Sequence, residues 1–159
     1  MMDKNKATID FLLTCDAIYN SPLYFNLSNS EAGSKLFVTQ GEDKNIEKPY
    51  IDGSVKKRYS LTVISYCSMS ALPIAKVKGK ADKNMEDYGH VQALMDWVKL
   101  QKAEGKSPDF GEDCMIEDIY TTSSNPIIDH IDASVTPPIA QYSFTFRVEY
   151  IDNSEVIWK

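Results

Sequence analysis

The feature that most constrains the fold is a strict alternation of apolar and polar side chains over residues 142–150. Serine, threonine, arginine and glutamate separate large aromatic or branched residues at every second position. Successive side chains of a strand point to opposite faces of a sheet, so this pattern predicts a strand with one face on the core. The residues predicted to face the core are Tyr142, Phe144, Phe146, Val148 and Tyr150.

A second strand is predicted over residues 58–69, where both faces are partly apolar. A strand with two apolar faces is typical of the middle of a sheet. Residues 115–122 are predicted to form another strand. Residues 23–27 and 35–40 flank a polar segment that is typical of a turn, so they are predicted to form a hairpin with a loose loop.

Two amphipathic helices are predicted, over residues 8–19 and residues 85–104. Asn20-Ser21-Pro22 is expected to end the first helix. Asn84 is expected to cap the second helix and Gly105 to end it. Apolar side chains at helical spacing indicate the core faces of the two helices; they are Phe11, Leu12, Cys15, Ile18 and Tyr19, and Met85, Tyr88, Val91, Leu94, Met95 and Val98.

These elements predict an α+β fold: a mixed, mostly antiparallel sheet with two helices packed on it. The 159 residues are expected to form one domain, residues 1–159. Residues 41–48 and 123–131 are predicted to be mobile loops. The chain shows neither the apolar region of a signal peptide nor a bilayer-spanning stretch, so we expect synthesis in a cytoplasm and no membrane partner.

Charge and chemistry-bearing residues argue against several functions. The net charge is −6, and the one basic cluster, Lys56-Lys57-Arg58, is too short to predict tight DNA binding. Cys15, Cys67 and Cys114 are scattered and are interpreted as small buried hydrophobes. His90 and His130 lack metal-ligand spacing, and His130 is placed in a loop. We expect no catalytic residue, metal or cofactor, although a cysteine–histidine pair that meets only in the fold stays open.

Both predicted helices carry apolar residues away from their core faces. On the first helix these are Ile9 and Leu13, and on the second they are Ala93, Trp97 and Leu100. Such residues are either covered within the subunit or form a contact between subunits. The sequence favours the second explanation slightly, and these five residues are the predicted subunit interface.

Two segments carry a family resemblance, Tyr50-Ile51-Asp52-Gly53-Ser54 and Pro108-Asp109-Phe110-Gly111. With the order of helices and strands around them, they make the chain resemble the tail-terminator proteins of long-tailed bacteriophages of Gram-positive hosts. These are also called tail-completion proteins and are often labelled minor capsid proteins. The resemblance covers most of the chain.

The resemblance implies a homo-oligomeric ring, six-membered in that family, with no catalytic residues. The ring caps the tail tube, ends its polymerisation and offers a joining surface to the head connector. The implied partners are other copies of the chain, the tube protein and a head-completion protein, while DNA passes through without specific binding. The implied location is the virion tail or neck, after assembly in the host cytoplasm.

Two alternatives remain open at this point. The first is a head-completion or connector protein of the phage neck, which would contact the portal instead of the tube. The second is a small cytosolic enzyme, which would need a concave pocket with converging titratable groups.

Overall fold

The computed structural model describes residues 3–19, 23–26, 32–42, 48–69 and 83–154. Its helices are α1 (Lys4–Leu12), α2 (Asp16–Tyr19) and α3 (Lys83–Ala103). Its strands are β1 (Leu23–Phe25), β2 (Lys35–Glu42), β3 (Lys48–Pro49), β4 (Val55–Ser68), β5 (Cys114–Thr121), β6 (Ile127–Asp132) and β7 (Ile139–Asp152). None of the helices in these ranges is long and apolar enough to cross a membrane.

The strands form one mixed, mostly antiparallel sheet in the order β1-β2-β4-β7-β5, and this confirms the predicted α+β fold. Strands β4 and β7 lie at its centre and pair antiparallel along their whole length, from Val55 opposite Asp152 to Ser68 opposite Ile139. Strand β3 pairs with β4. Strands β5 and β6 follow one another along the free side of β7, so together they border it.

The core lies on one face of the sheet, under the helices. All five residues of β7 that were predicted to face inward are buried, and Tyr59, Leu61 and Val63 of β4 lie opposite three of them. Helices α1 and α3 pack on this face, and α2 contacts α3. Their buried side chains belong to the same apolar cluster as the strand residues; they include Leu12, Cys15, Ile18, Val91, Leu94, Met95 and Val98.

The opposite face of the sheet has no helix packed on it within the described residues, and we call it the open face. On β4, Ser60 and Tyr66 of this face are buried, while Arg58, Thr62 and Ile64 are half-buried. The central position predicted for this strand is confirmed, since β2 and β7 flank it. Its second face is therefore covered only in part.

The first helix differs from its prediction at both ends. It begins at Lys4 because the Asp3 carboxylate caps it, accepting hydrogen bonds from the backbone amides of Asn5 (2.9 Å) and Lys6 (3.2 Å). It stops at Leu12. The Thr14 hydroxyl donates a hydrogen bond to the Phe11 carbonyl oxygen at 2.7 Å, in the short segment before α2. The predicted stop at residues 20–22 lies outside the described residues.

The predicted hairpin of residues 23–27 and 35–40 is wrong, because β1 runs parallel to β2, with Leu23 beside Lys35. Asn26 follows the last residue of β1. It adopts a positive φ of 59°, its backbone amide donates to the Phe37 carbonyl (2.9 Å), and its side-chain oxygen accepts from the Thr39 amide (3.0 Å). Asparagine tolerates this conformation better than most residues, and these hydrogen bonds hold the end of β1 against β2.

Three further boundaries were predicted incorrectly. Helix α3 begins at Lys83, so Asn84 lies inside it and is not its cap. Strand β2 continues to Glu42 and β3 begins at Lys48, which leaves residues 43–47 of that predicted loop outside the described residues. The predicted mobile loop of residues 123–131 contains most of β6, because this segment pairs with β7. Gly105, with φ +72°, ends α3 as predicted.

Candidate subunit interface

The outer side of α3 carries three of the predicted interface residues. Ala93, Trp97 and Leu100 lie four and three positions apart, so they share one side of the helix. Ala93 is exposed, and Leu100 leaves 53% of its surface exposed. Trp97 is half-buried and packs against the core cluster. The three residues are adjacent, but only two of them are displayed to solvent.

A row of three aromatic rings connects Trp97 to the core. The ring of Phe11 lies between those of Trp97 and Phe146, at centroid distances of 5.1 Å and 6.2 Å. Ile9 and Leu13 of the amino-terminal segment are half-buried against the same cluster. Packing within the subunit therefore accounts for much of the apolar surface of Ile9, Leu13 and Trp97. A role of the five residues in subunit contact stays a prediction.

The structure displays a different apolar patch at the turn between β3 and β4, which we call the hairpin patch: Tyr50, Ile51, Met115 and Ile151. Ile51 is 95% exposed and Met115 is 54% exposed. Met115 of β5 lies directly beside Ile151 of β7. A shallow depression joins Ile151 to the turn, lined by Tyr50, Ile51, Asp52, Ser54 and Ile151.

The local sequence fixes the turn that displays Ile51. Gly53 adopts a φ of +93°, as its place after Asp52 predicts, and its amide donates to the Tyr50 carbonyl at 3.1 Å. The Asp52 carboxylate accepts hydrogen bonds from the Ser54 amide (3.0 Å) and hydroxyl (2.6 Å), which lower the pKa of Asp52. The side chain of Ile51 is thus held outside the core by a closed hydrogen-bonded turn.

A second patch lies around β6, and we call it the β6 patch: Tyr88, Ile128 and Ile131. Each leaves more than a third of its surface exposed. Ile128 lies beside Tyr142 of β7, and the Tyr142 ring meets the Tyr88 ring edge-on at 5.9 Å. Ile131 lies beside Ala140, on the same face as Ile128. The patch is therefore continuous with the core face of the sheet, and it includes Tyr88 from α3.

The two patches lie at opposite ends and on opposite faces of the sheet. Ile151 belongs to the open face near the end of β7, whereas Ile128 neighbours the inward-facing Tyr142 near its start. Ile151 and Tyr142 are about nine residues apart, and a strand rises roughly 3.3 Å per residue, so about 30 Å separates the patches. Sequence patterns missed both patches, since Ile51, Ile128 and Ile131 sit in segments interpreted as a turn or a loop. Tyr88 was predicted to face the core and Met115 to lie in a strand, but both side chains are exposed.

Polar side chains on the open face between the patches bind one another. The Lys56 ammonium lies 3.3 Å from the Glu117 carboxylate and 3.9 Å from that of Glu149, and the Glu117 hydrogen bond raises the pKa of Lys56. The Tyr120 hydroxyl donates to Glu149 at 3.2 Å. Across three strands, Gln40 donates to the Thr62 hydroxyl (3.0 Å), which lies 3.1 Å from the Thr145 hydroxyl. These contacts cross-link strands β2, β4, β5 and β7.

The cysteines and histidines are dispersed. Cys15 is buried, and Cys67 and Cys114 are half-buried free thiols. Burial raises the pKa of Cys114, which disfavours its nucleophilic thiolate form. His90 and His130 are both exposed, and His130 lies in β6, which corrects its predicted loop position. Among the described residues, no group of three or more histidine, cysteine, aspartate or glutamate side chains could hold a metal ion.

No model of a known protein family matches the sequence, and no curated protein matches it significantly.

Proposed function

We propose that this chain is a non-enzymatic structural subunit of a bacteriophage tail, and that copies of it form a ring, six-membered by the resemblance. The ring caps the tail tube, ends its polymerisation and provides the surface for joining the head. It assembles in the host cytoplasm and stays in the virion neck. The observation that carries the proposal is the pair of different apolar patches at opposite ends of the sheet.

A ring of more than two subunits needs two different surfaces on each subunit, because each contact joins one surface to another. A single exposed apolar residue is ordinary and would support nothing. Here the exposed residues are grouped, and Ile51 is almost fully displayed at the tip of a fixed turn. Grouped apolar side chains are typical of surfaces that bind another protein.

The strongly lowered pKa of Asp152 has a structural explanation. Burial favours the protonated form of Asp152, but hydrogen bonds from Ser154 and Lys57 outweigh it and lower the pKa to about 2. The Lys57 ammonium lies 3.1 Å from this carboxylate and joins β4 to β7. A catalytic acid or base needs a pKa near the working pH. This group therefore supports a role in stability instead of catalysis.

The placement of the basic cluster supports passage of DNA without tight binding. Lys56 and Arg58 lie on the open face of β4, and Lys57 between them points to the other face. Lys56 and Lys57 are paired with carboxylates of the same chain. Since phosphate binding requires cations that are clustered and available, these three residues do not make one basic patch.

The two segments that carry the resemblance have different structural roles. Phe110 is buried, and its ring meets the rings of Tyr59 (5.8 Å) and Tyr150 (5.2 Å) edge-on, so the loop 108–111 anchors the core. The segment 50–54 forms the turn that displays Ile51. Residues 108–111 therefore support the fold, and residues 50–54 support a contact surface; a ring subunit requires both.

Deletion of the coding sequence from the phage genome tests the proposal. We expect tails of uncontrolled length that carry no heads, and we expect the intact gene supplied in trans to restore normal particles. Tails of normal length that lack heads would favour the head-completion alternative. Normal particles after deletion would contradict a structural role in the neck.

A further inference from the structure

The ends of the sheet provide the contact that joins one copy of the chain to the next. We infer that the hairpin patch of each subunit docks on the β6 patch of its neighbour, so that the occupant of each patch is a second copy of this chain. This inference rests on the proposed ring and identifies its subunit contact. It differs from the interface predicted on the helices, because it uses Ile51 and Ile128 in place of Trp97 and Ile9.

Charge at the two patches is complementary. Exposed Lys48 borders the hairpin patch, with its ammonium 5.8 Å from the centre of the Tyr50 ring. Exposed Asp129 lies in the β6 patch between Ile128 and His130. Asp52 beside the hairpin patch and Asp132 beside the β6 patch each accept hydrogen bonds from a serine two residues later, and the Glu117 carboxylate near Met115 lies 3.3 Å from the Lys56 ammonium. Docking therefore brings a displayed lysine towards a displayed aspartate.

The same charges disfavour contacts between identical patches. A two-fold contact through the hairpin patch would bring two copies of Lys48 into one interface, and one through the β6 patch would bring in two copies of Asp129. Like charges in an apolar contact oppose association. The patches are thus suited to head-to-tail contact, which can continue around a ring.

The patches also face in opposite directions. Because the hairpin patch belongs to the open face and the β6 patch to the core face, the open face of one subunit can pack on the core face of the next, and the same contact can repeat from subunit to subunit. Backbone pairing along β6 is disfavoured by the irregularity between Ile128 and His130, where the register with β7 shifts. The contact is therefore made by side chains.

A mixing experiment with the full chain tests this assignment. Ile51→Asp disrupts the hairpin patch, and Ile128→Asp disrupts the β6 patch. Each substitution buries an unpaired carboxylate in the contact, so it should raise the concentration needed for assembly by about a hundredfold. Each variant alone should stay monomeric, while an equimolar mixture should form dimers of one copy each. The matched control Ile127→Asp changes an exposed isoleucine on the other face of β6 and should assemble like the wild type. Circular dichroism checks that each variant is folded.

A charge exchange keeps the test decisive if Ile128→Asp unfolds. Lys48→Glu and Asp129→Lys should each weaken assembly, and the double variant should recover most of it. The inference is overturned if wild-type rings form and either single charge variant assembles as well as the wild type. It is also overturned if Ile51→Asp and Ile128→Asp are both folded but do not form dimers when they are mixed. Absence of any wild-type ring, with or without tail tubes, would instead contradict the proposed function.

Discussion

The indole ring of Trp97 lies 5.1 Å, centroid to centroid, from the phenyl ring of Phe11. Phe11 in turn stacks on Phe146, which is fully buried in the central strand β7. The largest side chain on the outer side of α3 is therefore fixed to the core of its own subunit. On this side of α3, Trp97 therefore stabilises the fold, whereas Leu100 remains exposed.

We predict that Trp97→Ala destabilises the subunit. The substitution removes the ring that covers Phe11, and because Trp97 is only half-buried the loss should be about 2 kcal/mol, below the 3–5 kcal/mol of a fully buried aromatic residue. Urea unfolding followed by circular dichroism measures it. Leu100→Ala, on the exposed neighbour, should change the free energy of unfolding by less than about 0.5 kcal/mol. Equal effects of the two substitutions would contradict this account of Trp97.

Asn5 is predicted to attach α1 to the sheet. Its side-chain oxygen accepts a hydrogen bond from the Thr39 hydroxyl at 2.9 Å and another from the Tyr59 hydroxyl. Asn5→Ala leaves both donors without this acceptor, so we expect a loss of about 1–3 kcal/mol in unfolding free energy. Thermal unfolding measures the change, with Lys6→Ala on the exposed side of the helix as control. A loss no larger than that of the control would rule out the anchoring role.

We predict that acid weakens the subunit through Asp152. The pKa of this carboxyl is lowered from 3.8 to about 2 in the folded protein, because the Ser154 and Lys57 hydrogen bonds outweigh burial. A carboxyl group whose pKa is lower in the folded protein stabilises the fold at pH values above its unfolded-state pKa. This contribution is lost as the pH falls from about 4 to about 2. Allowing for solvent screening, the contribution is about 1–2 kcal/mol at neutral pH.

Comparison with Asp152→Asn checks this pH dependence. The difference in unfolding free energy between wild type and variant should be constant above about pH 5 and should shrink as the pH falls towards 2. Asp129→Asn, which removes an exposed carboxylate, serves as the matched control. A wild-type advantage over Asp152→Asn that does not shrink in acid would contradict the assignment.

We expect DNA to pass through the ring without binding tightly to the protein. Lys56 and Lys57 are engaged by Glu117 and Asp152, and alternation along β4 separates their side chains. We predict no measurable affinity for duplex DNA at physiological salt, as judged by fluorescence anisotropy. Micromolar affinity with a steep salt dependence would reveal several phosphate contacts and would contradict this expectation.

Much of the fold could be predicted from periodicity alone. The alternation in β7 and the helical spacing of Val91, Leu94 and Val98 come from burial on one face, so the sequence records them directly. The parallel pairing of β1 could not be predicted, because two apolar runs separated by a polar segment show the same pattern whether they pair parallel or antiparallel. Strand β6 was missed because its isoleucines lie among polar residues and gain their strand geometry from β7.

The candidate contact surface was harder to predict than the fold. Trp97 looked like a surface residue because it lies away from the main stripe of α3, but Phe11 covers part of it across a distance that sequence spacing does not encode. Ile51 and Ile128 looked like ordinary loop residues. Their grouping with Met115 and Tyr88 depends on strand register and on an aromatic contact, both of which exist only in the folded chain.

Negative-stain electron microscopy of the purified full chain tests the central claim most directly. Images should be recorded over a range of concentrations, with and without tail tubes. We expect closed rings of identical subunits with an open centre, free in solution at high concentration or seated on the ends of tubes. Particles of monomer size under every condition, and tube ends that stay bare, would contradict the account.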